Sequence, residues 1–284
     1  MKKHFLFFWA LIRETGVKWN DDNASRLSAA LAYYTIFSLA PLLILAIAVA
    51  GMFFGNGAAR SEVLGQLQTI IGPVGAQYID NMIELAQKPS STWLASLIAI
   101  VTLLAGATSA FVELQEALNS IWKVKPDGSG FEYFLRKRLL SFAVILAIGV
   151  ALLMLLILSA VLAVMNRHLS GIVPAYFTLL NWANRALSFG VTVLLFAAIY
   201  KTLPDARVRW KDVWAGAVMA ALLFSAGRYF IGLYLRYSSL SSLYGAAGSL
   251  VIVLLWIYYS AQILFFGAEF TEVYSRQLDR SRQK

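Results

Sequence analysis

No charged residue occurs between Leu31 and Phe54, a stretch of 24 positions with Pro41 inside it. A helix needs about 20 apolar residues to cross the hydrocarbon of a bilayer, and a strand about half as many. Every backbone polar group must be satisfied inside the hydrocarbon, so an apolar run of this length reads as a transmembrane helix. Five more runs follow, at about 93–111, 139–165, 181–203, 213–235 and 243–270. The fourth is clean only from Ala186 to Tyr200, and it reaches spanning length by extending back through Asn181 and Arg185. The expectation is an all-α polytopic protein, a six-helix transmembrane bundle in one integral membrane domain covering 1–284.

The charge balance agrees with this reading. Charged residues make up 14% of the chain, against roughly 25% in soluble domains. Lys and Arg number 24, and eighteen of them fall in the segment before the first span, the second and fourth loops and the C-terminal tail. Four fall in the remaining loops: Arg60, Lys88, Arg167 and Arg236. Such asymmetry places both termini in the cytoplasm. It also accounts for most of the net charge of +9, so the basic residues call for no nucleic-acid partner. There is no cysteine and only two histidines, His4 and His168, far apart in sequence. A disulfide framework, a thiolate nucleophile and a thiolate metal site are thereby excluded.

Three segments flank the spans. Residues 1–26 form a cytoplasmic segment in which Phe5, Phe8, Trp9 and Ile12 share a helical face, as in an amphipathic helix resting on the inner leaflet. In the external loop 55–92, Val63, Leu64, Leu67, Ile70 and Ile71 repeat at helical spacing. Gly72-Pro73 breaks the pattern, and Ile79, Met82, Ile83 and Leu85 resume it. This predicts two short amphipathic helices at the membrane surface, either covering the bundle or simply packing at the interface. Residues 271–284 read as a short basic cytoplasmic tail.

Ionisable groups at membrane depth are costly and mark candidate sites. Arg228 lies about 15 residues into the fifth span, roughly 22 Å from its cytoplasmic end. Arg185 lies near the external end of the fourth span, with Asn181 and Asn184 within one turn. Guanidinium stays charged and its planar fork matches phosphate or carboxylate. These four residues are therefore a candidate anion or head-group site in the outer half, facing the bundle. The competing reading is that each arginine snorkels to nearby head groups.

Acidic and amide groups gather at the other depth. Glu113 and Glu116 are three apart, Gln262 and Glu269 seven apart, and Arg26 precedes the first span at the level of Glu269. An ionised Glu beside an Arg would tie helices together as a structural latch; the other reading is a proton relay. Small residues mark close helix approach: Gly106 to Ala110 in the second span, Gly216, Ala220, Ala221, Gly227 and Gly232 in the fifth, and Gly245 to Ser249 in the sixth. They either pack helix on helix or line a cavity.

Three stretches occur in order: NASRLSAALAYYTIFSLAPLL, GATSAFVELQEALNSIW and YGAAGSLVIVLLWIYYSAQILFFGAEF. Together they closely resemble the YihY/virulence factor BrkB family of bacterial inner-membrane proteins, over roughly Asn23 to Tyr274. The resemblance implies a six-helix protein of the plasma membrane. It implies little about activity: members have carried the name ribonuclease BN, and some are linked to envelope lipid export or serum resistance. The nuclease label finds no support in the residues. Metal-assisted phosphodiester cleavage wants clustered carboxylates or histidines. Here Asp21, Asp22, Asp127, Glu132, Asp205 and Asp212 stand singly or beside Lys and Arg, apart from the adjacent pair Asp21 and Asp22.

Two functional readings follow, with a membrane-embedded enzyme a distant third. The first is transport or flipping of an anionic amphiphile, such as a phospholipid or lipid A precursor, with Arg185 and Arg228 on the head group and small-residue helices forming the groove. The second is a non-transporting envelope scaffold that recruits protein partners or assembles as a homo-oligomer. Neither reading calls for a cofactor, metal or catalytic residue. There is no Walker A motif, so nucleotide-driven transport would need another subunit.

Overall fold

The computed structural model describes residues 2–87, 109–124, 174–206, 208–237 and 248–282. These are almost wholly helical, with no strand among the described residues. The helices are α1 (Lys2–Asp21), α2 (Ala24–Phe54), α3 (Asn56–Gln87), α4 (109–121), α5 (Pro174–Thr202), α6 (Trp210–Tyr237) and α7 (Gly248–Arg282). The predicted span at 139–165 lies outside the described residues, as does all of 93–111 except its last three positions. Among the described residues, three helices are long and apolar enough to cross a membrane, in α5, α6 and α7.

The long helix α7 is the hub, packing against α1, α2, α3 and α6. Its inner residues explain why. Val253 and Trp256 join Ile36 and Ile47 of α2 with Ile71, Ile79 and Ile83 of α3. Ala261, Phe265 and Ala268 meet α5 and α6 through Tyr200, Ala217 and Ala220. Phe270 and Val273 receive Leu11 of α1. Helix association in lipid rests on packing rather than on water exclusion, and α6 and α7 approach through small residues. A Cβ at Gly216 would overlap Thr271 and come within 2.5 Å of the Gly267 carbonyl oxygen. One at Gly227 would overlap the Tyr259 ring. These glycines close α6 onto α7, so of the two roles open to them they serve packing and line no groove.

Other expectations need adjusting. Within the segment 271–284, α7 continues as helix to Arg282. Its apolar run ends near Phe270, but Val273 is buried and Tyr274 stacks on Phe270, so α1 supplies the cover that lipid no longer gives. Helix α1 docks on α7 through a face other than that of Phe8 and Trp9. Leu11 and Thr15 are buried, whereas Phe8 and Trp9 are largely exposed. It ends at a joint where Asn23 adopts a left-handed conformation (φ 53°).

Helix α3 has the predicted two halves. Gly72 at φ 78° and ψ 171° breaks it one residue before Pro73, and Arg60 pairs with Asp80 across the break. Both halves contribute buried residues against α2 and α7, Ile71 from the first and Ile79 and Ile83 from the second. Leu85, counted on the apolar face, is exposed.

Candidate functional site

The four proposed head-group residues occupy α5 and α6, which pack on one another. The side chains of Asn181 and Asn184 lie outside the described set. Arg185 is exposed, with its guanidinium 5.6 Å from the centre of the Trp182 ring. Arg228 is exposed beside exposed Tyr229 and Phe230, while its neighbour Gly227 takes the buried face. Helix α6 turns Gly227 toward α7, and position 228 points about 100° away from that contact. Neither guanidinium has an ion-pair partner among the described residues.

The polar residues at the opposite end are organised differently from the sequence expectation. Glu113 and Glu116 do not form the working face of α4; Glu116 is exposed and Glu113 partly so. Burial and the neighbouring Glu116 raise the Glu113 pKa above its ordinary value. The inward face carries Gln115 and Asn119, four apart, and both bind Asp205 in the segment joining α5 to α6. Arg26 is exposed on the first turn of α2, and among the described residues no ion pair joins it to Glu269. The Arg26–Glu269 latch is not formed: α2 begins with Ser28 and Ala24 turned inward, which leaves Arg26 on the outer face. Gln262 is partly buried, and its Oε1 lacks a donor.

A latch does exist, built from other residues. Lys18 of α1 pairs with Glu272 of α7, and Arg276 of α7 pairs with Glu14 of α1. Gln277 also donates to Glu14, at 2.6 Å. Positions 272 and 276 are one helical turn apart, as are 14 and 18, so two antiparallel faces exchange charges at matched rungs. Nearby, Asp212 in the first turn of α6 accepts from Arg209 at 2.8 Å and from Ser275 of α7 at 3.0 Å. Its charge also suits the positive helix start. Arg209 further pairs with Asp279, and these hydrogen bonds to Asp212 and Asp279 raise its pKa.

Glu269 lies inside this latch. It is 0% exposed, and neither carboxyl oxygen has a hydrogen-bond donor. It comes within hydrogen-bonding range of Asp22, whose Oδ2 is likewise buried without a donor. A pocket of about 340 Å³ borders the latch, lined by Trp122, Ala206 and Val208 together with Glu272, Ser275 and Arg276. The segments meeting here come from the N-terminal region, the second and fourth loops and the C-terminal end, the ones the charge count groups on one side.

Long apolar helices closed by small residues, with charged groups gathered at one end, define a helical membrane protein. The chain belongs to the Virulence factor BrkB family, whose model matches residues 16–284. It is 29% identical to a UPF0761 membrane protein of Psychromonas ingrahamii, over 95% of this chain and 86% of that one. It is 28% identical to a UPF0761 membrane protein of Pseudoalteromonas translucida, over 88% of this chain and 81% of that one. A UPF0761 membrane protein of Pseudomonas aeruginosa is 28% identical over 94% of this chain, which spans 63% of that longer relative. No solved structure matches the chain.

Proposed function

We propose that this protein binds an anionic amphiphile of the bacterial inner membrane and moves it between leaflets, with a phospholipid or lipid A precursor as the substrate class. The observation that carries this reading is Arg228. It is a permanent cation on a helix apolar enough to span, exposed and without an ion-pair partner among the described residues, flanked by exposed Tyr229 and Phe230. A lipid offers such a residue both halves of what it needs, a phosphate for the fork and chains for the rings. Arg185 beside Trp182 on the neighbouring helix repeats the pattern. In this reading both termini are cytoplasmic and the two arginines sit in the outer half of the membrane.

The alternative, a non-transporting scaffold, draws on a different observation. Gly216 and Gly227 of α6 are occupied in packing against α7, so at these described positions the two helices leave no room for a groove. Reconstitution decides between the two. Fluorescent anionic phospholipid translocation would be measured in proteoliposomes of wild type, Arg228→Ala and Arg228→Lys, each confirmed as folded. Transport by wild type that falls at least tenfold in both variants supports the head-group reading. Absence of transport by folded wild type with any anionic lipid favours the scaffold.

A further inference from the structure

The unexplained group in this molecule is the carboxyl of Glu269. Buried polar atoms are almost always hydrogen-bonded, and an ionised carboxylate buried without donors is more costly still. Here three buried carboxyl oxygens, two on Glu269 and one on Asp22, stand together without a donor. Two negative charges there would repel strongly, because Glu269 is fully buried and Asp22 partly so.

The surrounding charges do not resolve the conflict. From α1, Lys18 lies within electrostatic reach of Glu269, but its ammonium is committed to Glu272. Glu14 of α1 is held by Arg276 and Gln277 of α7. Arg26 of α2 is exposed. From α6, Asp212 is taken by Arg209 and Ser275. On α3, Arg60 and Asp80 pair with each other. Glu272, the remaining nearby charge, has the same sign as Glu269. Among the described residues no group of three or more Asp, Glu or His side chains is placed to hold a metal ion. A proton fits: it turns one carboxyl into a donor and makes the other its acceptor, as in paired carboxyls that cannot both ionise.

We propose that Asp22 and Glu269 form a proton-binding site, in which a single proton is shared between the α1–α2 joint and α7. The bound proton joins two elements that Lys18–Glu272 and Glu14–Arg276 fasten at neighbouring turns. Its release places two like charges between them and drives this end of the bundle apart. The site is a proton-controlled clasp, and it stands whether or not the protein moves lipid.

The test is infrared spectroscopy on the folded full-length chain in proteoliposomes at neutral pH. A protonated carboxyl shows a C=O stretch, shifted by deuterium, that carboxylates lack. Wild type is expected to show this band, and Glu269→Gln to fold and lose it, because the Gln amide donates to Asp22 without a proton. Asp22→Asn is the second variant and is expected to shift or abolish the band. The proposal is overturned if folded wild type has no such band, or if the band is the same in both variants. It is also overturned if the band appears only when sodium is removed, or if Glu269→Gln does not fold, since Gln keeps the shape of the neutral acid.

Discussion

Asn119 holds Asp205 at two points. Its Nδ2 donates to Asp205 Oδ2 at 2.8 Å, and its Oδ1 accepts from the Asp205 backbone N–H at 2.8 Å. Gln115, one turn earlier on α4, donates to the other carboxylate oxygen at 3.2 Å. The turn between α5 and α6 is thus pinned to a helix 86 residues away in sequence. Replacing Asn119, which is buried, by Ala removes both of its bonds to Asp205. The expected loss is about 1–3 kcal/mol. Thermal unfolding of the detergent-solubilised chain checks it, and Gln115→Ala is expected to cost less because its bond is longer.

The contact of Gly216 with Thr271 yields a second expectation. A Cβ at position 216 meets both the Thr271 side chain and the Gly267 carbonyl. Gly216→Ala should lower stability by about 1–3 kcal/mol, the usual range for overpacking, despite the better helix propensity of Ala. Adding Thr271→Ala relieves only the side-chain overlap, so the double variant should recover part of the loss and no more. Full recovery would mean that the backbone approach of α6 to α7 is looser than the structure has it.

Much of the helical layout is legible in the sequence because lipid imposes one rule, that backbone polar groups be satisfied within the span. Long apolar runs therefore announce α2, α6 and α7, and Gly72-Pro73 announces the break in α3. The polar end is less legible. A carboxylate such as Glu269 suggests an arginine partner, and Arg26 lies at the right level, but its helix phase turns it outward. The actual neighbour, Asp22, has the same charge, and no pairing rule points to it. The spacing of Glu113 and Glu116 hides the inward pair Gln115 and Asn119, which are polar but uncharged. Glu272 and Arg276 lie one turn apart, but their spacing does not name Glu14 and Lys18 as partners, because that pairing depends on how α1 docks against α7.

Glu113 gives a pH dependence. Burial and Glu116 raise its pKa in the folded chain above the ordinary 4.5. A raised carboxyl binds its proton more tightly folded than unfolded, so stability falls as pH rises through that range. At neutral pH the ionised form is penalised, and Glu113→Gln removes the penalty. The variant should therefore unfold at a slightly higher temperature than wild type at pH 7. The difference should vanish below the ordinary carboxyl pKa, where both forms are neutral. Unfolding curves of the two proteins across that pH range provide the check.

The clasp of α1 on α7 can be tested by exchanging its charges. Lys18 and Glu272 are 12% and 19% exposed. Breaking the pair should therefore cost more than the roughly 0–1 kcal/mol of an exposed pair and less than the roughly 3–5 kcal/mol of a buried one. Lys18→Glu places a negative charge against Glu272 and close to Asp22 and Glu269, so α1 should detach at one end while the α6–α7 contact stays intact. Hydrogen exchange reports this directly: amides of α1 should lose protection, and those around Ala220 and Ala268 should keep theirs. The exchanged pair, Lys18→Glu with Glu272→Lys, restores the opposite signs at the same rung and should recover most of the protection. Recovery should stay incomplete, because the new carboxylate at position 18 lies on the side of Asp22 and Glu269, where the ammonium had been favourable. If the exchanged pair opened as readily as the single variant, α1 would be held by Leu11, Phe270 and Val273 and not by its charges.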